Sequence, residues 1–256
     1  MYLRNIRLAV VCLAAAVVPA LAQENTGYTS VALFKVKPDG AAAFAENMKK
    51  FMAPLGAKLL KDGTINGYGI DMDMFHQPGV TNAALWIDVS SFAAFGKLEE
   101  AVHAAMKASP QLISATMAAT DPAAHADIMV RHMFTNMKPA AAGSLPYSNF
   151  YAVKVKPGKM NEFSDVFAKY QKPIYDKLVA DGVLIGYSVD TEIIHSDAAS
   201  MVWIITVMAD LGAKDKVMAV TRAAPDRRAA QVAMDALTVE GSHRDNISQA
   251  VMYVTK

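Results

Sequence analysis

The sequence predicts an α+β fold built from two copies of one βαββαβ module. The main observation is an internal repeat, because residues 28–76 and 147–195 align without a gap and share 16 identities in 49 positions. The run Lys-Val-Lys-Pro at 35–38 returns at 154–157, and Asp-Gly at 62–63 returns at 181–182. In each copy the hydrophobic spacing changes from alternation to helical periods in the same order. Repetition of a whole supersecondary unit indicates a tandem duplication.

The first module, residues 23–137, opens with a strand. Residues 28–37 alternate between two faces, one of them carrying Ala32, Phe34 and Val36, and the alternation stops at Pro38. Residues 39–61 then follow a helical period, with apolar side chains three or four apart: Phe44, Met48, Phe51, Leu55 and Leu59. Gly63 supplies a residue that commonly ends a helix. A strand followed by an amphipathic helix is therefore predicted.

The remaining elements of this module follow from the same patterns. Residues 64–75 and 82–89 alternate and predict two strands joined by the turn at 77–79. Ser90 or Ser91 can cap a helix whose apolar side carries Phe92, Phe95 and Leu98. An alanine-rich stretch follows, and residues 128–137 predict the fourth strand.

The second module, residues 147–256, repeats this order after a linker at 138–146 that is rich in alanine, glycine and proline. Strands are predicted at 147–156, 183–194, 199–208 and 247–254, with helices at about 159–180 and between about 211 and 238. Both long helices contain a proline, Pro54 in the first and Pro173 in the second. Proline removes one helical hydrogen bond, so a kink or break is predicted at both positions.

Two βαββαβ units in tandem resemble paired ferredoxin-like modules, which is the arrangement of the dimeric α/β-barrel superfamily that includes antibiotic-biosynthesis-type monooxygenases. The chain is similar to members that fuse both halves. The resemblance implies a pseudo-dimeric barrel with a lumen between two sheets. Because its relatives also include haem-degrading and chlorite-dismutase-like proteins, it implies an oxygenase-type activity, cofactor-free or haem-dependent, as one hypothesis.

Residues 1–22 read as a secretory signal. Arg4 and Arg7 precede an apolar run at 8–18, and Ala20-Leu21-Ala22 fits a cleavage site. The apolar run is shorter than the ~20 residues that cross a bilayer. A periplasmic or secreted protein without a membrane span is expected.

Composition excludes several kinds of chemistry. The single cysteine, Cys12, lies inside the predicted signal, so the mature chain is expected to contain no thiol chemistry. The 25 basic and 24 acidic residues are mixed along the chain, which gives no reason to expect a nucleic-acid partner. The 53% hydrophobic content predicts apolar surface that the two halves bury against each other or in a homo-oligomer.

The best candidate pocket is the lumen between the two sheets. Strand alternation places Lys35, Asp71 and Trp86 on the lumen side, and the second module supplies Lys154, Asp190 and Trp203. Trp86, Trp203, Lys35 and Lys154 are therefore the predicted ligand-binding residues for a small hydrophobic molecule. The alternative is that Lys35 with Asp71, and Lys154 with Asp190, form structural ion pairs.

Four residues are candidates for catalysis. Burial could raise the pKa of Asp71 or Asp190 enough to make it a base. His76 and His195 stand at equivalent positions after the second strand of each module and could act as a base or a haem ligand. The alternative is a turn histidine bonded to the backbone. No metal site is predicted, because His125 with Asp127 and His243 with Asp245 offer two ligands each.

Three functions stay open at this stage. The first is binding of a small hydrophobic ligand, the second is an oxygenase-type reaction, and the third is structural self-assembly. No G-x-S-x-G, H-E-x-x-H, P-loop or G-x-G-x-x-G motif is present, which disfavours hydrolase, metalloprotease and nucleotide-dependent functions.

Overall fold

The computed structural model describes residues 27–75, 80–141, 143–194 and 200–256. The first half contains β1 (Tyr28–Phe34), α1 (Ala41–Lys61), β2 (Gly67–Asp73), β3 (Ala83–Val89), α2 (Phe92–Ala108), α3 (Pro110–Ala118) and β4 (Ala126–Met137). The second half contains β5 (Tyr147–Lys154), α4 (Met160–Tyr170), α5 (Lys172–Ala180), β6 (Gly186–Ile194), β7 (Met201–Met208), α6 (Gly212–Ala223), α7 (Arg227–Leu237) and β8 (Arg244–Thr255).

The eight strands form one closed barrel in the order β1-β3-β2-β8-β5-β7-β6-β4. Each half contributes four neighbouring strands, and every strand pair is antiparallel. The halves meet at two seams, β2 with β8 and β4 with β6. Closure leaves no free sheet edge, so the backbone groups at both seams are paired. The predicted α+β barrel is confirmed.

Two hydrophobic cores lie outside the barrel wall, one beneath the helices of each half. In the first half, helix residues such as Phe44 and Met52 pack on Tyr68 and Ile70 of β2. In the second half, Phe163 and Phe167 pack on Tyr187 and Val189 of β6 by the same pattern. Because the helix-facing side chains of each strand belong to these cores, the alternate side chains face the lumen.

The two proline-containing helices behave differently, because only the second of the two predicted positions carries a break. Helix α1 continues through Pro54. In the second half the helix ends at Tyr170, and a new helix, α5, begins with Pro173 in its first turn. Pro173 stands in the first turn of α5, where proline removes no intrahelical hydrogen bond. Pro54 lies inside α1, which stays continuous because buried side chains on both sides of Pro54 hold the helix against the core.

No helix in the described ranges is both long and apolar enough to cross a membrane. The predicted signal at residues 1–22 lies outside those ranges.

Candidate functional site

His132 is the centre of a polar network on the lumen side of the barrel. Its Nδ1 lies 2.7 Å from Oδ1 of Asp190, across the β4–β6 seam. Its Nε2 lies 3.3 Å from Oγ1 of Thr29 on β1, and that hydroxyl donates to Asp88 at 2.5 Å. Ser188 donates to the other oxygen of Asp190 at 2.8 Å. One imidazole therefore links four strands drawn from both halves.

The carboxylates around His132 control its proton affinity. Asp190 is 2% exposed and His132 is 15% exposed, so the pair is shielded from bulk water. Burial lowers the pKa of His132, but the hydrogen bond and charge of Asp190 and the charge of Asp88 outweigh it, so the pKa lies above its ordinary value. Burial also raises the pKa of Asp88, against the charge of His132. The imidazole is therefore a stronger base than a free histidine.

Asp71 occupies the other seam, between β2 and β8. Trp86 donates its Nε1 hydrogen to Oδ2 of Asp71 at 2.8 Å. Asp71 is 2% exposed, and burial raises the pKa of Asp71 to about 7, with the Trp86 hydrogen bond opposing and the charge of Asp73 adding to the rise. Tyr253 packs edge-on against Trp86 with ring centroids 5.3 Å apart. Burial raises the pKa of the Tyr253 hydroxyl, and the charges of Asp88 and Asp71 add to the rise.

Trp203 repeats the tryptophan-to-carboxylate bond in the second half, but two residues further along the strands. Trp203 donates its Nε1 hydrogen to Glu192 at 2.7 Å. Trp86 lies opposite Gly69, whereas Trp203 lies opposite Asp190. Both tryptophans stay partly exposed although helices cover the outside of their strands. The two indoles therefore lie on the lumen side in unequal positions along their strands.

The predicted lysine pairs do not form. Lys35 lies 3.4 Å from Asp121, not from Asp71, because it stands at the end of β1 beside the last turn before β4. Lys154 forms no ion pair with Asp190, whose oxygens bond to His132 and Ser188. Both lysines therefore belong to the rim of the barrel and not to its polar centre.

The two other predicted catalytic residues, His76 and His195, lie outside the described residues. Each follows the second strand of its module, after β2 and β6. Asp71 and Asp190 lie in the lumen but at different seams, so the structure separates the two predicted carboxylates.

His132 was not among the predicted site residues. Its partners Asp190 and Thr29 are 58 and 103 residues away in the chain, so no local spacing revealed the cluster. Alternation along the fourth strand gave no signal either, because it groups His132 with Phe134, which packs in the helix-side core beyond a bulge. β-Bulges next to His132 and next to Asp71 aim both side chains.

The haem-ligand candidates, His76 and His195, lie outside the described residues. The described lumen histidine, His132, lies 2.7 Å from Asp190 through Nδ1 and 3.3 Å from the Thr29 hydroxyl through Nε2. His125 and His243 lie on the outer surface and pair with Asp127 and Asp245. Within the described ranges, no three side chains of the metal-binding types form a group that could hold an ion.

A separate pocket of about 420 Å³ opens at the rim of the barrel. Its lining includes Phe75, Lys214, Met218 and Asp245. Lys214 contacts the side-chain oxygen of Asn149 on the helix side of β5, so this pocket lies outside the lumen. It shares no residue with the His132 network.

The fold matches solved structures over nearly the whole chain. A candidate monooxygenase from Lactobacillus acidophilus NCFM aligns with a TM-score of 0.66 and 13% identity, covering 90% of this chain and 96% of its own. An anthrone oxidase-like protein aligns with a TM-score of 0.57 and 13% identity, covering 91% and 94%. A candidate chlorite dismutase aligns with a TM-score of 0.50 and 10% identity, covering 89% and 96%.

Sequence comparison adds nothing to these structural matches. No family model matches the chain, and no curated protein matches it. At 10–13% identity the structural likeness establishes the fold alone. The chain therefore shares its closed barrel fold with these solved structures.

Proposed function

We propose that this protein is an oxygenase-type enzyme that holds a small aromatic molecule in the barrel lumen and uses His132 to remove a proton from it. One observation carries the proposal: a largely buried imidazole is fixed between Asp190 and the Asp88–Thr29 pair inside an aromatic-walled lumen. The barrel's likeness to a candidate monooxygenase and to an anthrone oxidase-like protein supports the reaction class.

The hydrogen bonds assign each ring nitrogen a role. Nδ1 donates its hydrogen to Asp190, which fixes the tautomer and leaves Nε2 as the basic atom. Thr29 donates its own hydrogen to Asp88, so its oxygen can accept a hydrogen from Nε2 once that nitrogen is protonated. The network therefore stabilises the imidazolium that proton removal creates.

The reaction that fits this base is oxidation of an activated methylene group by O₂. His132 takes one methylene proton, and the resulting carbanion transfers its electrons to O₂. The hydroperoxide that forms then loses water and leaves a ketone, so R₂CH₂ and O₂ give R₂C=O and H₂O. Trp86, Trp203 and Tyr253 would hold the flat ring system while the lumen limits its contact with water.

Anthrone, an aromatic compound with one activated methylene, is the substrate for the test. Wild-type protein should consume O₂ and form the ketone, and His132→Gln should lower the rate by at least about a hundredfold. The matched control is His125→Gln, because His125 forms an exposed pair with Asp127. The rate should rise with pH through a pKa above 6.5, since the base must be neutral to act.

Equal rates for the two variants and the wild type would contradict the proposal. So would a rate that falls as pH rises through neutrality, because His132 would then be needed in its protonated form.

The second candidate function is ligand binding without turnover. The unequal placement of Trp86 and Trp203 favours it, because a lumen with two different ends can hold an asymmetric molecule in one orientation. Trp86→Ala and Trp203→Ala should then lower ligand uptake while the protein stays folded. Lys35 and Lys154 lie at the rim, so they would change the rate at which the ligand enters the lumen and not the affinity with which it binds.

We also propose three features of the chain as a whole. The two halves arose as duplicated ferredoxin-like modules, residues 1–22 direct export and are removed near Ala22, and the mature chain can form a homo-oligomer. N-terminal sequencing of protein recovered from the periplasm or medium tests export, with a start at Gln23 expected and a start at Met1 contradicting it.

A further inference from the structure

The two seams of the barrel carry equivalent carboxylates with different partners. Asp71 and Asp190 are equivalent in the repeat, 119 residues apart. Asp190 lies opposite His132 on the neighbouring strand, whereas Asp71 lies opposite Ala250. The imidazole of His132 therefore lies beside Asp190 at the β4–β6 seam. At the β2–β8 seam only the methyl group of Ala250 lies beside Asp71.

The seam with Ala250 contains polar atoms that no group of the chain satisfies. Within the described ranges, three buried side-chain oxygens have no hydrogen-bond partner, and two of them are Oδ1 of Asp71 and Oγ of Ser248. Ser248 is 0% exposed and lies opposite Asp73, on the same face of the same strand pair as Asp71 and Ala250. A buried polar atom without a partner costs free energy, so two at one place indicate a group supplied from outside the chain.

The chemistry of Asp71 limits what that group can be. Trp86 already donates to Oδ2, so only Oδ1 is available. Burial holds the pKa of Asp71 at about 7, so near neutral pH this oxygen is an acceptor in some molecules and a donor in others. A hydroxyl group serves both forms, because it can donate to the carboxylate and accept from the acid. An ammonium group, which can only donate, or a carbonyl, which can only accept, serves one form only.

We propose that the lumen selects hydroxylated aromatic molecules, whose hydroxyl group hydrogen-bonds to Oδ1 of Asp71 and to Oγ of Ser248 while the ring lies against Trp86 and Tyr253. This inference rests on the proposed function for the location of the ligand, and it adds the substrate class. Asp71 is a specificity-determining residue and His132 is the base.

Two isosteric probes, 1-naphthol and 1-methylnaphthalene, test this selection by quenching of tryptophan fluorescence. Wild-type protein should bind 1-naphthol at least about tenfold more tightly, which is the effect of one hydrogen bond to a buried polar group. In Asp71→Leu, which keeps the shape and removes the oxygens, the preference should fall below about threefold. The exposed controls His125→Gln and Asp181→Asn should match the wild type.

Asp71→Leu leaves Trp86 without an acceptor, so its folding is checked by thermal melting. If it does not fold, Ala250→Ser decides, because a serine hydroxyl beside Asp71 should compete with the ligand and lower the preference at least about threefold.

Three results would overturn the inference: equal binding of both probes to wild type, binding of neither, or a preference that survives both substitutions. Equal binding would mean that internal water alone satisfies Asp71 and Ser248. Loss of the preference in Asp71→Leu supports the inference even if anthrone is not oxidised, so its failure and that of the proposed reaction are distinguishable.

Discussion

Asp71 and Asp190 show how strongly one residue type depends on its neighbours. Both are 2% exposed and both face the lumen. Asp190 is bonded by His132 and Ser188, whereas Asp71 has only the indole of Trp86. A single neutral donor offsets little of the cost of burying a charged carboxylate. Burial therefore raises the pKa of Asp71 to about 7, and this carboxyl keeps its proton toward neutral pH.

Asp71 should make the protein less stable as pH rises. Its pKa is about 7 in the folded state and ~3.9 in an unfolded chain, so the folded state binds the proton more tightly. The stability that this proton provides is complete below about pH 4 and is lost as pH rises to about 7. Asp71→Asn removes this dependence. The free energy of unfolding, measured with urea, should fall in the wild type between pH 4.5 and 7.5. The variant should therefore be more stable relative to the wild type at pH 7.5 than at pH 4.5, by a few kcal/mol.

A difference between variant and wild type that stays constant from pH 4.5 to 7.5 would contradict the raised pKa. Asp181→Asn, at an exposed position paired with Lys177, is the control and should shift little.

For single residues, the sequence predicted which face of the sheet a side chain lies on better than it predicted the hydrogen-bond partner of that side chain. Alternation placed Asp71, Trp86 and Asp190 on the lumen face, since a strand has only two faces. The partner of Asp190 could not be read in the same way, because the β4–β6 seam joins strands from different halves in a register that bulges alter. The alternative in which Lys35 pairs with Asp71 was wrong because Lys35 stands at the end of β1, 3.4 Å from Asp121.

The helices that cover the barrel differ between the halves although their sequences repeat. Helix α1 passes Pro54 with buried residues on both sides, whereas the second half uses Pro173 to begin α5. One proline therefore interrupts a hydrogen-bonded helix and the other stands where no bond is lost.

Pro54→Ala and Pro173→Ala should have different effects on stability. Both prolines are exposed, so neither substitution removes core packing. Pro54→Ala restores a helical hydrogen bond and should raise the free energy of unfolding by about 1–3 kcal/mol. Pro173→Ala should be neutral or slightly destabilising, because proline suits the first turn. Urea unfolding measures both.

A loss of stability in Pro54→Ala would mean that the proline shapes α1 to fit the barrel wall. Element types and order were predictable because periodicity is local. That only the second helix breaks was not predictable, because the outcome depends on how each helix packs on its own core.

The whole molecule is one hydrogen-bonded barrel. The halves share two seams, and the His132 network crosses one of them. Separate unfolding of either half would expose both seams and the polar groups between them. Barrel closure could be predicted from the resemblance and the repeat, but the inequality of the two seams could not, because it depends on which residues face each other across them, His132 opposite Asp190 and Ala250 opposite Asp71.

The two halves should therefore unfold together. Each half contains one tryptophan, so Trp86→Phe and Trp203→Phe leave a reporter in the second and first half respectively. Fluorescence of each variant should give a urea transition that coincides with its own circular-dichroism transition. Transitions in which one reporter changes well before the loss of secondary structure would show that the halves are independent.

The most direct test of the central claim is the pKa of His132, measured by NMR titration of ring-labelled protein with and without 1-naphthol. A value above 6.5 is expected, with a fall in Asp190→Asn and a shift on addition of 1-naphthol, because the base must be held by Asp190 and must face the ligand. The matched residue, His125, should not respond to the ligand. A value at or below 6.5 that neither Asp190→Asn nor 1-naphthol changes would contradict the assignment of His132 as the base of the lumen.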